Sequence, residues 1–227
     1  MPVPARPPHR LLPAPRHIRP AVGAFLLLAL VSALLYSGGH NLDPQALWFH
    51  PVHNFLCDLF MPLNTYNGRS NMASALPGIS GGLLLVAGGL LPAWTSVALR
   101  LAPERAVSRL VATLGLLALG AVSLVPLENL VSLPWPHHFT LLGAVLPGWL
   151  ATSGVALLAL RHPGIDRSAR LLGLAVLVAV PVIFACYLPY ALAGDTTAPA
   201  VAFGQKLVLC TVLAWLWALG GSPALRD

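Results

Sequence analysis

Six apolar runs dominate this chain and leave little freedom in how it folds: residues 21–36, 72–94, 106–124, 138–160, 170–190 and 197–219. The last five hold 19 to 23 residues each. That length suits a bilayer core of about 30 Å at about 1.5 Å of helical rise per residue. The first run is shorter, about sixteen residues. It follows a basic leader and precedes Ser37, Gly38 and Gly39, so a signal peptide would look similar. With Pro20 and the flanks counted, an uncleaved anchor is the favoured reading.

Composition supports the same conclusion. The chain is 57% hydrophobic and 9% charged, whereas soluble domains carry about 25% charged residues. A soluble chain this oily would lack the polar residues to cover its surface. The predicted fold is an all-α integral membrane protein, a bundle of six transmembrane helices with a long exoplasmic loop, 37–71, between helices 1 and 2. Residues 1–20 read as a disordered basic tail, 21–220 as the membrane domain and 221–227 as a second tail.

Charge sets the expected orientation. Arg6, Arg10, Arg16 and Arg19 precede the first run; Arg100, Arg105 and Arg109 lie at the second connection; Arg161, Arg167 and Arg170 lie at the fourth; Arg226 ends the chain. The opposite connections hold Asp43, Asp58, Glu128 and Asp195, with Arg69 their one basic residue. The positive-inside rule therefore puts both termini in the cytoplasm and the carboxylates outside. The basic residues show no stripe interleaved with aromatics, so nucleic acid is not an expected partner. Membrane lipids are, and oligomeric state is open.

The longest polar connection carries most of the chemistry. Asp43-Pro44 suits a helix start, so Ala46 to Phe49 is expected as a short interfacial helix with an aromatic face. Ser70 or Asn71 is placed to cap the second span. His50, His53 and Asp58, with His137 and His138 opening the fourth span, are the candidates for a metal site, because imidazole and carboxylate are zinc's usual ligands. Pro51 between the first two histidines and the lack of a His-Glu-x-x-His signature weigh against it. No cofactor is expected, zinc being the one possibility. Asp58 sits among Phe55, Leu56, Leu59 and Phe60 and requires a partner, with Arg69 or backbone amides the expected ones. Lys206 lies about nine residues into the sixth span and should face the interior, with Glu128 or Asp58 as partner. Cys57 could pair with Cys186. Ser74, Gly78 and Gly82 repeat every four residues, which suits close helix packing within the chain.

The run Asn54-Phe55-Leu56-Cys57-Asp58-Leu59, followed by Asn64, Gly68, Asn71 and a glycine-rich span, resembles the bacterial membrane family called domain of unknown function 998, which is similar to the eukaryotic DRAM/Frag/Sfk-type proteins. Cys57 stands where that pattern has Ser, and Phe60 where it has Gly. The resemblance implies a six-helix bundle in a bacterial plasma membrane with its longest loop outside, and no established reaction.

The expected function is lipid or small-molecule binding or sensing, through an outward polar pocket of Asp58, Asn64, Arg69, Asn71, Glu128, Asn129, His137 and Lys206. A metal-dependent membrane hydrolase and a small transporter with Lys206 in its path are the alternatives. Catalysis is not specifically expected, because no nucleophile elbow, phosphate loop or kinase motif occurs.

Overall fold

The computed structural model describes residues 14–40, 42–102, 104–124, 137–193 and 199–225, with the backbone alone at 137–139, 141, 188–193 and 199. Six helices are long and apolar enough to cross a membrane. They are α1 Ile18–Leu34, α2 Met72–Leu101, α3 Arg105–Val122, α4 His137–Arg161, α5 Arg167–Ala193 and α6 Pro199–Leu219. Each packs against the next, and α6 closes back onto α1.

The second helix runs further than its apolar pattern suggests, to Leu101 rather than Trp94. Its second half contains two π-helical turns, Val86–Leu90 and Ala93–Val97. Pro92 lies between them and has no N–H to donate, so the regular ladder is interrupted there. The widened stretch reaches α3 and α4 and brings Trp94 and Val97 into the core. Pro77, Pro147 and Pro181 lie inside α2, α4 and α5. The ordinary helical ladder frees one carbonyl at each, which a membrane protein tolerates inside a packed bundle.

Small residues let the helices approach. Ser74 and Gly78 face α1, where Ser32 donates to Ser74 O at 2.8 Å and reaches Leu59 O at 3.3 Å. A Cβ on Gly78 would stand 2.5 Å from Leu59 O. The four-residue repeat therefore serves packing within the chain. At the opposite end, Trp94, Ile18, Val22, Trp215, Leu216 and Leu219 belong to one buried cluster. The start of α1 meets the end of α6 there, with Arg19 Nε donating to Trp217 O at 2.9 Å. That end also carries the short α2–α3 and α4–α5 connections with their arginines.

Residues 35–71 form a cap over the other end of the bundle. The expected interfacial helix at Ala46 to Phe49 is absent. Gly39 N–H donates to Ala46 O at 2.8 Å, and His40 and Asp43 pair as an isolated bridge. Asp43 does cap, but a turn: its carboxylate accepts from Gln45 N–H at 2.9 Å. Turn closure uses the backbone groups that a helix would need. Gly38 and Gly39 make the turn possible with φ of 83° and 86°, values that a side chain opposes. Leu47 and Trp48 are left exposed.

Candidate functional site

The cap is organised by amide side chains. Asn54 is fully buried, and Asn64 and Asn71 are nearly so. Asn54 Nδ2 donates to Gly39 O at 2.8 Å, Tyr36 Oη at 3.1 Å and Asp58 Oδ2 at 3.1 Å. Its Oδ1 accepts from His50 N–H at 2.8 Å. Asn64 donates to Gly38 O and Ser37 Oγ, while its Oδ1 takes Tyr66 N–H at 2.9 Å. Asn71 is the residue before α2 but does not cap it with its side chain. It donates instead to Asp58 O at 3.0 Å and Met61 O at 2.9 Å, and accepts from Ser37 N–H at 3.1 Å. Three amides thus sew the segment after α1 to the segment before α2.

Asp58 lies in the short 3₁₀ turn Leu56–Leu59. Its carboxylate accepts from Phe55 N–H at 2.8 Å, which is one arm of a capping box, and from Tyr66 Oη at 3.3 Å. Arg69 was one expected partner; its side chain is exposed, and its carbonyl takes Asn64 N–H at 3.0 Å. Burial pushes the Asp58 carboxyl up to about 6, against the opposing pull of the Asn54, Phe55 and Tyr66 donors and of Lys206. Burial, with Asp58 beside it, also pushes the Cys57 thiol and the Tyr36 and Tyr66 phenols up. Cys57 is therefore a protonated thiol, unsuited to nucleophilic attack. All three cysteines are free, so the Cys57–Cys186 pairing does not form.

Lys206 turns inward, and among the described residues its hydrogen bonds go to backbone carbonyls rather than to a carboxylate. Its Nζ donates to Asn54 O, and to Ala202 O at 2.9 Å, and sits 5.5 Å from the Phe49 ring centroid. Beside it, Gln205 Oε1 accepts from Leu56 N–H at 2.8 Å. Two adjacent polar residues of α6 thus hold the cap. Glu128 and Asn129 lie outside the described residues. His137 and His138 fall in the first turn of α4, and their side chains lie outside the description too.

His50 and His53 do meet, and His40 joins them. Ring centroids are 4.3 Å apart for His50–His53, 4.9 Å for His40–His53 and 5.6 Å for His40–His50. His40 Nδ1 accepts from Leu42 N–H at 3.3 Å and Asp43 N–H at 3.2 Å, and His50 Nδ1 accepts from Val52 N–H at 3.3 Å. Those lone pairs are already engaged by backbone N–H groups. Among the described residues no group of three or more His, Cys, Asp or Glu is arranged to hold a metal ion. His40 was missed in the sequence because ten residues separate it from His50; only the turn at Gly38 and Gly39 brings it back.

Two apolar pockets, each open on one side, lie between the helices; the smaller reaches up to the cap at Phe55 and the larger lies deeper, among helix residues alone. A cavity of about 150 Å³ is walled by Phe55 of the cap, Val145 of α4, Ile183 and Tyr187 of α5, and Val201 and Gln205 of α6. A second, of about 270 Å³, is bounded by Trp94, Leu119, Trp149, Thr152 and Val212. Val145 and Val180 line both. Trp94 Nε1 donates to Thr152 Oγ1 at 3.1 Å, but the Trp149 indole N–H is buried with no partner among the described residues.

No family model, curated protein or solved structure matches the chain.

Proposed function

We propose that this protein binds a lipid or lipid-like small molecule in the apolar space that runs from the cap at Phe55 down between its helices, without transforming it. The observation that carries this reading is the pair of cavities sharing Val145 and Val180, with the unpaired Trp149 N–H on the wall of the larger. A buried donor without a partner costs about 1–3 kcal/mol. A ligand with an apolar body and one hydrogen-bond acceptor offsets that cost and fills the space. The polar groups of the cap play a different part from the one their sequence suggests. Asn54, Asp58, Asn64, Asn71 and Lys206 are engaged with one another and with backbone, so they close the roof. Thiol burial and engaged imidazoles favour binding over nucleophilic or metal-assisted chemistry.

The arginine bias supports a cap on the exoplasmic face with both termini cytoplasmic, and a bacterial plasma membrane follows from the resemblance. The residues of that resemblance are cap-building ones: Asn54, Asp58, Asn64, Asn71 and Gly68, whose φ is 69°.

The test is native mass spectrometry of protein released from mild detergent, comparing wild type with Val145→Trp and Trp149→Phe. Wild type should retain a discrete lipid-mass adduct. Val145→Trp should lose it, and Trp149→Phe should retain less of it. An adduct absent from wild type, or unchanged in Val145→Trp, refutes the reading.

A further inference from the structure

The three-imidazole cluster has a feature that neither packing nor ligand binding requires. Two of its members accept backbone hydrogen bonds through Nδ1, and His53 Nδ1 is buried with no partner among the described residues. A histidine accepting at Nδ1 is neutral, carrying its proton on Nε2. A proton added to His40 would point at Leu42 N–H and Asp43 N–H, and one added to His50 at Val52 N–H. One added to His53 Nδ1 would be buried without an acceptor. Charging any two rings sets like charges roughly 4–6 Å apart. The neutral state is thus built into the turn.

The turn is coupled to the roof. His50 O accepts from His53 N–H at 3.2 Å and Asn54 N–H at 3.0 Å, and His50 N–H holds Asn54 Oδ1. Asn54 is followed by Phe55, which walls the smaller cavity. We propose that His40, His50 and His53 form a pH-responsive latch: neutral, they hold the roof shut over the lipid site; protonated, they release the Asn54–Phe55 segment and open it. The proposal rests on the cavity beneath the cap being the binding site.

The surrounding charges agree. His40 is held below the usual histidine range by burial, then by His53 and His50, with Asp43 opposing. The Asp43 carboxylate is occupied by Gln45 N–H. From the elements packed beneath, Tyr36, Asp58 and Lys206 contact Asn54, and Tyr66 contacts Asp58. The His137 and His138 side chains lie outside the description. A depressed histidine pKa means that the opened cap binds the proton more readily than the closed one. Closure is therefore complete above the open-state value and lost as pH falls below it.

Thiol labelling of Cys57 in nanodiscs reads the latch, in a Cys186→Ala/Cys210→Ala background. The probe is a membrane-impermeant maleimide, and each rate is normalised to the denatured chain at the same pH. Any proton that the open cap binds more readily than the closed one shifts the open–closed ratio toward open, so the normalised rate should rise between about pH 7.5 and about pH 5. Asn places Oδ1 near the position of imidazole Nδ1 and accepts the same bonds at any pH. The His40→Asn/His50→Asn variant should therefore label slowly at both. A flat wild-type profile, or the same rise in the doubly substituted protein with its thermal unfolding unchanged, overturns the latch. Adduct retention at about pH 7.5, measured on the same samples, separates the two claims. A pH-dependent rate without any adduct retains the latch and removes the lipid reading; an adduct with a flat rate does the reverse.

Discussion

Asn54 is the residue whose replacement should do most damage for its size. Substitution by Ala removes three donations, to Gly39 O, Tyr36 Oη and Asp58 Oδ2, and one acceptance, from His50 N–H. Gly39 O keeps Tyr36 Oη as a donor at 3.1 Å, and Asp58 keeps Phe55 N–H. His50 N–H is left without its partner. Net hydrogen bonds are worth about 0.5–1.5 kcal/mol, more when charged, and an orphaned buried group costs about 1–3 kcal/mol. The expected loss is about 4 kcal/mol. Asn54→Asp, nearly isosteric, should be worse at neutral pH. It turns the Nδ2 donor, 3.1 Å from Asp58 Oδ2, into a second acceptor, so two carboxyls share one buried site. One of them must hold a proton, so acid should partly rescue Asn54→Asp while leaving the deficit of Asn54→Ala in place. Thermal unfolding in detergent across pH, with Cys57 labelling alongside, measures both. Asn54→Ala within about 0.5 kcal/mol of wild type, the range of an ordinary surface change, would refute the hub assignment. So would an Asn54→Asp deficit that ignores pH.

Three further outcomes follow from the geometry. The raised Asp58 carboxyl binds its proton more tightly in the folded state. Its favourable contribution is full below about 3.8 and is lost as pH rises through about 6, a swing of about 3 kcal/mol. Asp58→Asn, which can still accept from Phe55 N–H, should flatten that part of the stability profile measured by denaturant titration, while Asp58→Ala should destabilise throughout. Gly78→Val should cost about 1–3 kcal/mol in thermal unfolding, because its Cβ would meet Leu59 O at 2.5 Å and Ser32 Oγ at 3.0 Å. Lys206→Met should free Asn54 O and speed Cys57 labelling at neutral pH; an unchanged rate would show that the amine plays no part in closing the cap.

The bundle was legible because membrane helices leave coarse signals. Apolar runs of span length located all six helices, and the end of α2 was placed too early because Thr95 and Ser96 follow Trp94, while the helix continues through them to Leu101. The cap was legible in content but not in form. Asp58 was expected to need Arg69 or backbone amides; the Phe55 backbone N–H is there, joined by the Asn54 side chain, while the Arg69 side chain is exposed. Lys206 was expected to face inward with Glu128 or Asp58 as its partner; among the described residues its amine donates to the Asn54 and Ala202 carbonyls, and Glu128 lies outside them. Asp43-Pro44 signals a helix start and a turn equally well, and the glycines before it decided for the turn. His40 carried no signal at all, since its meeting with His50 and His53 depends on backbone geometry.

The most direct test of the cap is accessibility at neutral pH in intact cells. With Cys186 and Cys210 replaced by Ala, an impermeant maleimide should label Trp48→Cys rapidly, because position 48 is exposed on the cap, and should label Cys57 far more slowly, because it packs with Phe55, Val201 and Ala202 beneath it. Equal labelling of the two positions would contradict a closed roof, and no labelling at position 48 would contradict a cap on the outer face.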